Sequence, residues 1–212
     1  MNTKIYAFAE HIYPFIHNTF STPQGPGHTK DLIMTCPCIL TSGVCVFFTL
    51  VPDLNDNYQV PETVTNKIAD TWGVTTMELQ EAAFHNLEQL PLRLNKVENQ
   101  NFYYLDTSSD IFPNVESCRF LSKKSMEQAK EILGGNFYIF PVSVWKSYLI
   151  GEKEAGEMDP STLLTYMLAK GGMPKDVLLR HGYLYRDGGL SIAELSASRD
   201  RSKKVEPFRK TR

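Results

Sequence analysis

No stretch of the chain approaches the roughly 18 to 20 consecutive apolar residues that a membrane-spanning helix needs, so no transmembrane segment is expected. The N-terminal segment MNTKIYAFAEHIYPFIHN is broken by Glu10, His11 and Pro14 and lacks a small-residue cleavage site, so it does not read as a secretory leader. A cytoplasmic chain with reduced thiols is the expectation. Cysteine is scarce, with four in 212 residues, which argues against a scaffold built on disulfides. The segment Gln24-Gly25-Pro26-Gly27-His28-Thr29-Lys30 is glycine-rich but lacks the spacing of a phosphate loop, and it precedes a β-rich stretch. There is no H-E-x-x-H and no nucleophile elbow. Net charge is small too, at −2, but it is unevenly placed. Residues 199–212 hold seven basic and two acidic side chains, a net of +5, while the remainder carries −7. What is present is a globular complement of apolar residues, 42 %, enough for a packed core.

Periodicity and turn residues lay out the elements. Ile5, Phe8, Ala9, Ile12, Ile16 and Phe20 recur at helical spacing, which predicts an amphipathic helix over residues 3–19 with a kink at Pro14. Residues 21–31 read as a loop. Residues 32–40 and 44–51 are rich in β-formers and flank Thr41-Ser42-Gly43, a hairpin signal. Residues 61–72 predict a helix stopped by Gly73. Thr75-x-x-Glu78 is a capping box for the next helix, which ends near residue 88 ahead of Pro91. Residues 92–97 and 102–106 read as a second hairpin, and residues 118–121 as a short strand. Ser122 caps a helix that Gly134-Gly135 stop. Residues 136–142 are apolar on both faces, which predicts a central strand. The charged linker GEKEAGEMD leads to Asp159-Pro160, an N-cap and first helical position, and that helix ends at Gly171-Gly172. A helical turn at residues 176–180 and a hairpin through Asp187-Gly188-Gly189 follow. The order is no βαβ alternation. It predicts an α+β fold, a mixed and mainly antiparallel sheet with helices packed on it, in a single domain over residues 1–198 with a basic flexible tail over 199–212.

Cys36, Cys38 and Cys45 invite a metal reading, with His28 or Cys118 as the fourth ligand. The spacing lacks the paired C-x2-C knuckles of structural zinc sites. The expectation is a core hairpin containing structural thiols and no metal. His181 offers a general base without a nucleophile partner. His85 reads as a packed helix residue, and His11 and His17 are six apart, a poor fit to one helix face. Asp106 and Asp110 fit a solvated loop better than a cation site. Trp145 and Tyr148 follow the central strand beside Lys146, and the acids Glu152, Glu154, Glu157 and Asp159 come next. An apolar anchor and a negative rim thus adjoin in sequence, which suits a basic protein partner. Core completion is the competing reading of the two aromatics.

The stretch SMEQAKEILGGNFYIFPVSVW, residues 125–145, resembles an uncharacterised protein family of anaerobic gut bacteria and their mobile elements. TWGVTTMELQEAAFHNL, residues 71–87, is similar to the family's preceding helical segment, and Leu179-Arg180-His181-Gly182-Tyr183-Leu184-Tyr185 to its later tyrosine-containing piece. The likeness covers roughly residues 65–187, setting a family-like part at 61–198 apart from a helix-plus-hairpin part at 1–60. Where members carry Ser-Ser and a His-Glu pair, this chain has Val142-Ser143-Val144-Trp145-Lys146. The resemblance implies a bacterial or phage accessory setting and no particular reaction.

The expected function is therefore non-enzymatic: protein–protein interaction, such as inhibition of a host or defence protein by occlusion, with no cofactor. The alternative is nucleic-acid binding through Arg199, Arg201, Lys203, Lys204, Arg209, Lys210 and Arg212. A third reading is an enzyme that uses His181.

Overall fold

Ile12, Tyr13, Phe15 and Ile16 crowd around Pro14, and this density of β-formers, not the wider helical spacing, decides the first element. Ile12–His17 is a strand, β1, entered from a short 3-10 turn at Ala9–His11. The expected helix over residues 3–19 is thus corrected. A strand can carry Pro14 only where its missing N–H has no ladder partner, and β1 lies at the edge of its sheet. The computed structural model describes residues 9–17, 26–41, 44–51, 62–105, 118–143, 146–172 and 182–193.

The loop expected at residues 21–31 gives way to a helix, α1 (Pro26–Thr35), which also takes up the front of the strand expected at 32–40. Pro26 is its first helical residue, where a missing donor costs nothing. The strand is left with β2 (Cys38–Thr41), paired antiparallel to β3 (Val44–Leu50) as the hairpin signal predicts. β3 also pairs with β1 and with a two-residue β4 (Glu62–Thr63), giving a four-stranded first sheet.

Helix α2 (Asn66–Trp72) starts later than expected, capped by Thr65, and Gly73 closes it with a positive φ of 68°. Helix α3 (Thr76–Gln89) opens with the predicted capping box: the Thr75 hydroxyl accepts from the Glu78 N–H at 3.2 Å, and the Glu78 carboxylate accepts from the Thr75 N–H at 2.8 Å. Asn86, buried on α3, donates to the carbonyls of Ala9 and Ile12, so it pins the start of β1.

The second sheet has six strands: β5 (Leu94–Lys96), β6 (Tyr103–Leu105), β7 (Phe137–Ser143), β8 (Lys146–Gly151), β9 (Gly182–Arg186) and β10 (Gly189–Ala193). Their order is β10-β9-β7-β8-β6-β5, and every described pairing is antiparallel. β7 is central, as its two apolar faces predict. β8 has no counterpart in the sequence reading. Its opening Lys146-Ser147 hides the strand pattern, yet Tyr148 and Leu149 pair with Phe140 and Ile139 in mid-sheet. Pro141 fits β7 because β9 pairs only with Phe137–Ile139, so Pro141 has no ladder partner on that side among the described residues.

Ser122 caps α4 (Lys123–Leu133), and Gly134 stops it with a φ of 74°. The strand expected at residues 118–121 is instead a 3-10 turn, Arg119–Leu121. The charged linker forms one helical turn, α5 (Glu152–Ala155), ahead of α6 (Pro160–Gly171). The chain is thus α+β, with both sheets sharing one core. Ile16, Val44 and Val46 of the first sheet pack with Phe137, Ile139, Leu149, Tyr183 and Tyr185 of the second and with Met126 and Ala129 of α4. The second sheet's other face, Phe140, Tyr148 and Ile150, receives Leu163 and Met167 of α6. Two such buried side chains contribute roughly 3–6 kcal/mol of docking, enough to hold a helix of this length. No described helix is long and apolar enough to cross a membrane.

Candidate functional site

Helix α3 carries Gln80, Phe84 and Glu88 on one stripe, four residues apart, and that stripe is the floor of a cleft between the two sheets. One wall is Ile39, Thr41 and Val46 of β2 and β3. The other is Tyr185, Gly188 and Leu190 of the β9–β10 hairpin, with Ser122, Lys123 and Met126 of the α4 entrance. The cleft encloses about 410 Å³, within the range of ligand and peptide sites. The lining is mixed: Ile39, Val46, Phe84, Met126 and Leu190 are apolar, and Thr41, Gln80, Glu88, Ser122 and Lys123 are polar.

Those polar groups are held in place. The Ser122 hydroxyl donates to the Glu88 carboxylate at 2.9 Å, and the Lys124 ammonium donates to the Glu88 carbonyl at 2.9 Å. The Tyr185 hydroxyl donates to the Glu127 carboxylate at 2.5 Å. Burial, and then the Glu127 carboxylate, push the Tyr185 phenol up to about 12, so it remains a donor at neutral pH. The cleft is flanked by two sheet-edge strands, β2 and β10. On β10, Leu190 and Ile192 share a face, and Ile192 remains half exposed beyond the cleft.

Comparisons with protein-family models, curated proteins and solved structures give no match.

The expected partner surface is only partly assembled. Trp145 lies outside the described residues. Tyr148, expected at the surface, is fully buried. Its hydroxyl donates to the Gly172 carbonyl at 2.9 Å, and burial pushes the phenol up to about 12. Lys146 donates to the Gly171 carbonyl at 3.0 Å and lies over the Tyr104 and Tyr148 rings, about 5 Å from each centroid. A cation and a phenol thus close the C-terminus of α6, where the helix dipole favours positive charge. Tyr148 completes the core because β8 is a strand, and its side chain points under α6.

The acids divide in the same way. Glu152 pairs with Arg186 of β9 and accepts from Asn136 at 3.1 Å; Arg186 first, then Asn136, hold its carboxyl below the usual carboxylate range. It ties α5 to β9 beside a hollow of about 530 Å³ around Gly134 and Gly135. Asp159 is the N-cap of α6, accepting from the Ser161 and Thr162 N–H groups and from the Thr162 hydroxyl. Those bonds, Thr162 foremost, hold its carboxyl low. Glu154 and Glu157 are exposed and free of any such structural duty in the bonds described. His181, Asp106, Asp110 and the seven cations from Arg199 to Arg212 lie outside the described residues, as do the side chains of His17 and His28. Cys118 is buried in the shared core, apart from the cluster that holds Cys36 and Cys45. Among the described residues, no group of three or more His, Cys, Asp or Glu is placed to hold a metal ion.

The sequence reading missed Gln80, Phe84, Glu88, Thr41 and Leu190 as a set. The stripe on α3 is visible as spacing alone, but nothing local says that a hairpin more than 100 residues later closes over it.

Proposed function

We propose that the chain is a protein-binding module whose site is the cleft between the two sheets, and that it takes an extended segment of a partner protein with both apolar and polar side chains. The observation that carries this reading is the placement of a 410 Å³ cleft, lined by apolar and polar side chains, between two sheet-edge strands, β2 and β10. An edge strand presents backbone donors and acceptors to an added strand, and flanking pockets read alternate side chains of the guest. Leu190, Ile192 and Ile39 supply apolar contacts, while Glu88 on the floor and Lys123 in the wall favour a guest that also carries polar groups. The exposed acids Glu154 and Glu157 would steer a basic partner towards the molecule. In the accessory setting that the resemblance implies, such capture acts by occlusion of a host or defence protein.

The test uses the full chain with a photoreactive amino acid in place of Thr41 or Ile192. Crosslinking in a lysate, followed by mass spectrometry, should join both positions to one extended segment of one partner. Leu190→Glu, shown folded by circular dichroism, should abolish the crosslink. A folded Leu190→Glu variant that captures the same partner equally well would remove the cleft from the reading.

A further inference from the structure

Register places two thiols side by side. Cys38 on β2 lies opposite Phe47, and Cys45 on β3 lies opposite Leu40, so both side chains belong to one face and stand diagonally across the ladder. The right-handed twist of a sheet draws one diagonal together. Here Cys38 packs against the buried cluster that holds Cys45. Cys45 is fully buried with Cys36 and Phe47, beneath Leu32 of α1, whereas Cys38 is partly exposed. Cys36 packs in the same cluster, with its sulfur 3.6 Å from the Thr35 hydroxyl. One thiol is therefore partly accessible from solvent and packs against the cluster that buries the second.

We infer that Cys38 and Cys45 form an oxidisable dithiol, which closes to a cross-strand disulfide when a peroxide reaches β2. The Cys38 sulfur attacks the peroxide O–O bond and retains one oxygen as a sulfenic acid; the other oxygen leaves as water. The Cys45 sulfur then attacks the Cys38 sulfur. Its proton passes to the departing sulfenic oxygen, which leaves as a second water. Two thiols give up two electrons and two protons, and the peroxide takes up both. Burial keeps Cys45 as a thiol with its value pushed up to about 12, which leaves Cys38 to meet the oxidant first. The link would fasten β2, whose other face lines the cleft, to the central strand of its sheet. This inference stands whatever the cleft binds.

The experiment treats the full chain with hydrogen peroxide, alkylates the remaining thiols under denaturing conditions and maps chymotryptic peptides without reduction. The expected result is loss of two of the four thiols in a monomer that is lighter by two hydrogen atoms. The peptide carrying Cys38 should be joined to that carrying Cys45, and dithiothreitol should reverse the link. Cys36→Ser should give the same link, and Cys38→Ser should lose no thiol pair. Over-oxidation of Cys38 with Cys45 still free, a link through Cys36, or a dimer joined at Cys38 would each overturn the inference.

Discussion

Replacing Arg119 should unlatch the end of α3. This side chain is fully buried, and its guanidinium donates to the carbonyls of Leu87 at 2.7 Å, Leu90 at 2.9 Å and Pro91 at 3.3 Å. The Leu87 carbonyl is among the last four of the helix, and those of Leu90 and Pro91 lie just past its end, where intrahelical partners run out. In Arg119→Met the Leu87 carbonyl keeps the Leu90 N–H at 3.3 Å, and the exposed Pro91 can turn its carbonyl to water. Leu90 is left to bear most of the loss. The two short bonds to a charged donor are worth about 1.5–3 kcal/mol each, or about 3–6 together. Relief from keeping a cation out of water returns part of that, leaving a net cost of about 2–4 kcal/mol. For a domain of this size, about 2–4 °C of Tm accompanies each kcal/mol, so Arg119→Met should melt about 5–15 °C lower. Arg119→Lys keeps the charge without the planar fork and should fall between the two. Thermal unfolding followed by circular dichroism measures both variants, and hydrogen exchange should show faster opening at residues 87–90. A drop below about 2 °C for Arg119→Met, or Arg119→Lys as stable as the parent, would refute the latch.

Ser147 presents the opposite case, because its buried hydroxyl has no hydrogen-bond partner among the described residues; Ser147→Ala should be neutral or stabilising by up to about 1–2 kcal/mol in urea unfolding, and a clear loss would reveal a hidden partner. A Cβ at Gly182 would run into the Phe140 ring, so Gly182→Ala should cost about 1–3 kcal/mol by overpacking, and an unchanged urea midpoint would show that the ring can move aside. In acid, the carboxyls of Glu152 and Asp159 have folded-state values below their unfolded ones. Their stabilisation is complete above the ordinary carboxylate range and is lost as pH falls through the folded values; Asp159→Asn should flatten the acid limb of a stability-against-pH curve. In base, Tyr148 and Tyr185 are raised to about 12, so their contribution is complete below the ordinary phenol value of about 10 and is lost as pH rises towards 12. The part of the phenolate absorbance that Tyr148→Phe removes should therefore rise together with unfolding rather than before it.

Local chemistry was the legible part of this fold. The capping box at Thr75, the Asp159-Pro160 start and the left-handed glycines at 73 and 134 each stop or start a helix within a few residues, and each was readable as written. Residues decided by distant partners were not. Tyr148 read as a surface anchor because its neighbours in sequence are Lys146 and a run of acids, whereas its neighbours in space are Phe102, Phe140 and α6. The expectation for residues 3–19 followed an apolar spacing that suits a helix, but pairing with β3 and the Asn86 contacts select the strand. The cleft draws on segments from residue 39 to residue 190, so no window of sequence contains its pattern.

The grip of Asn86 on the carbonyls of Ala9 and Ile12 also bears on the order in which the molecule can be made. A ribosome adding about 5–20 residues per second needs roughly 3 to 14 seconds to pass from the end of β1 to the codon for Asn86. Until β3 has emerged to pair with it, the nascent β1, with Ile12, Tyr13, Phe15 and Ile16, is an unpaired apolar strand and a site for mispairing with other chains, and its entry stays unpinned until Asn86 follows. Pro14 lies in its middle. A proline interrupts the backbone donors that a growing intermolecular stack requires, so the residue that confines β1 to a sheet edge in the finished protein also guards it while it waits.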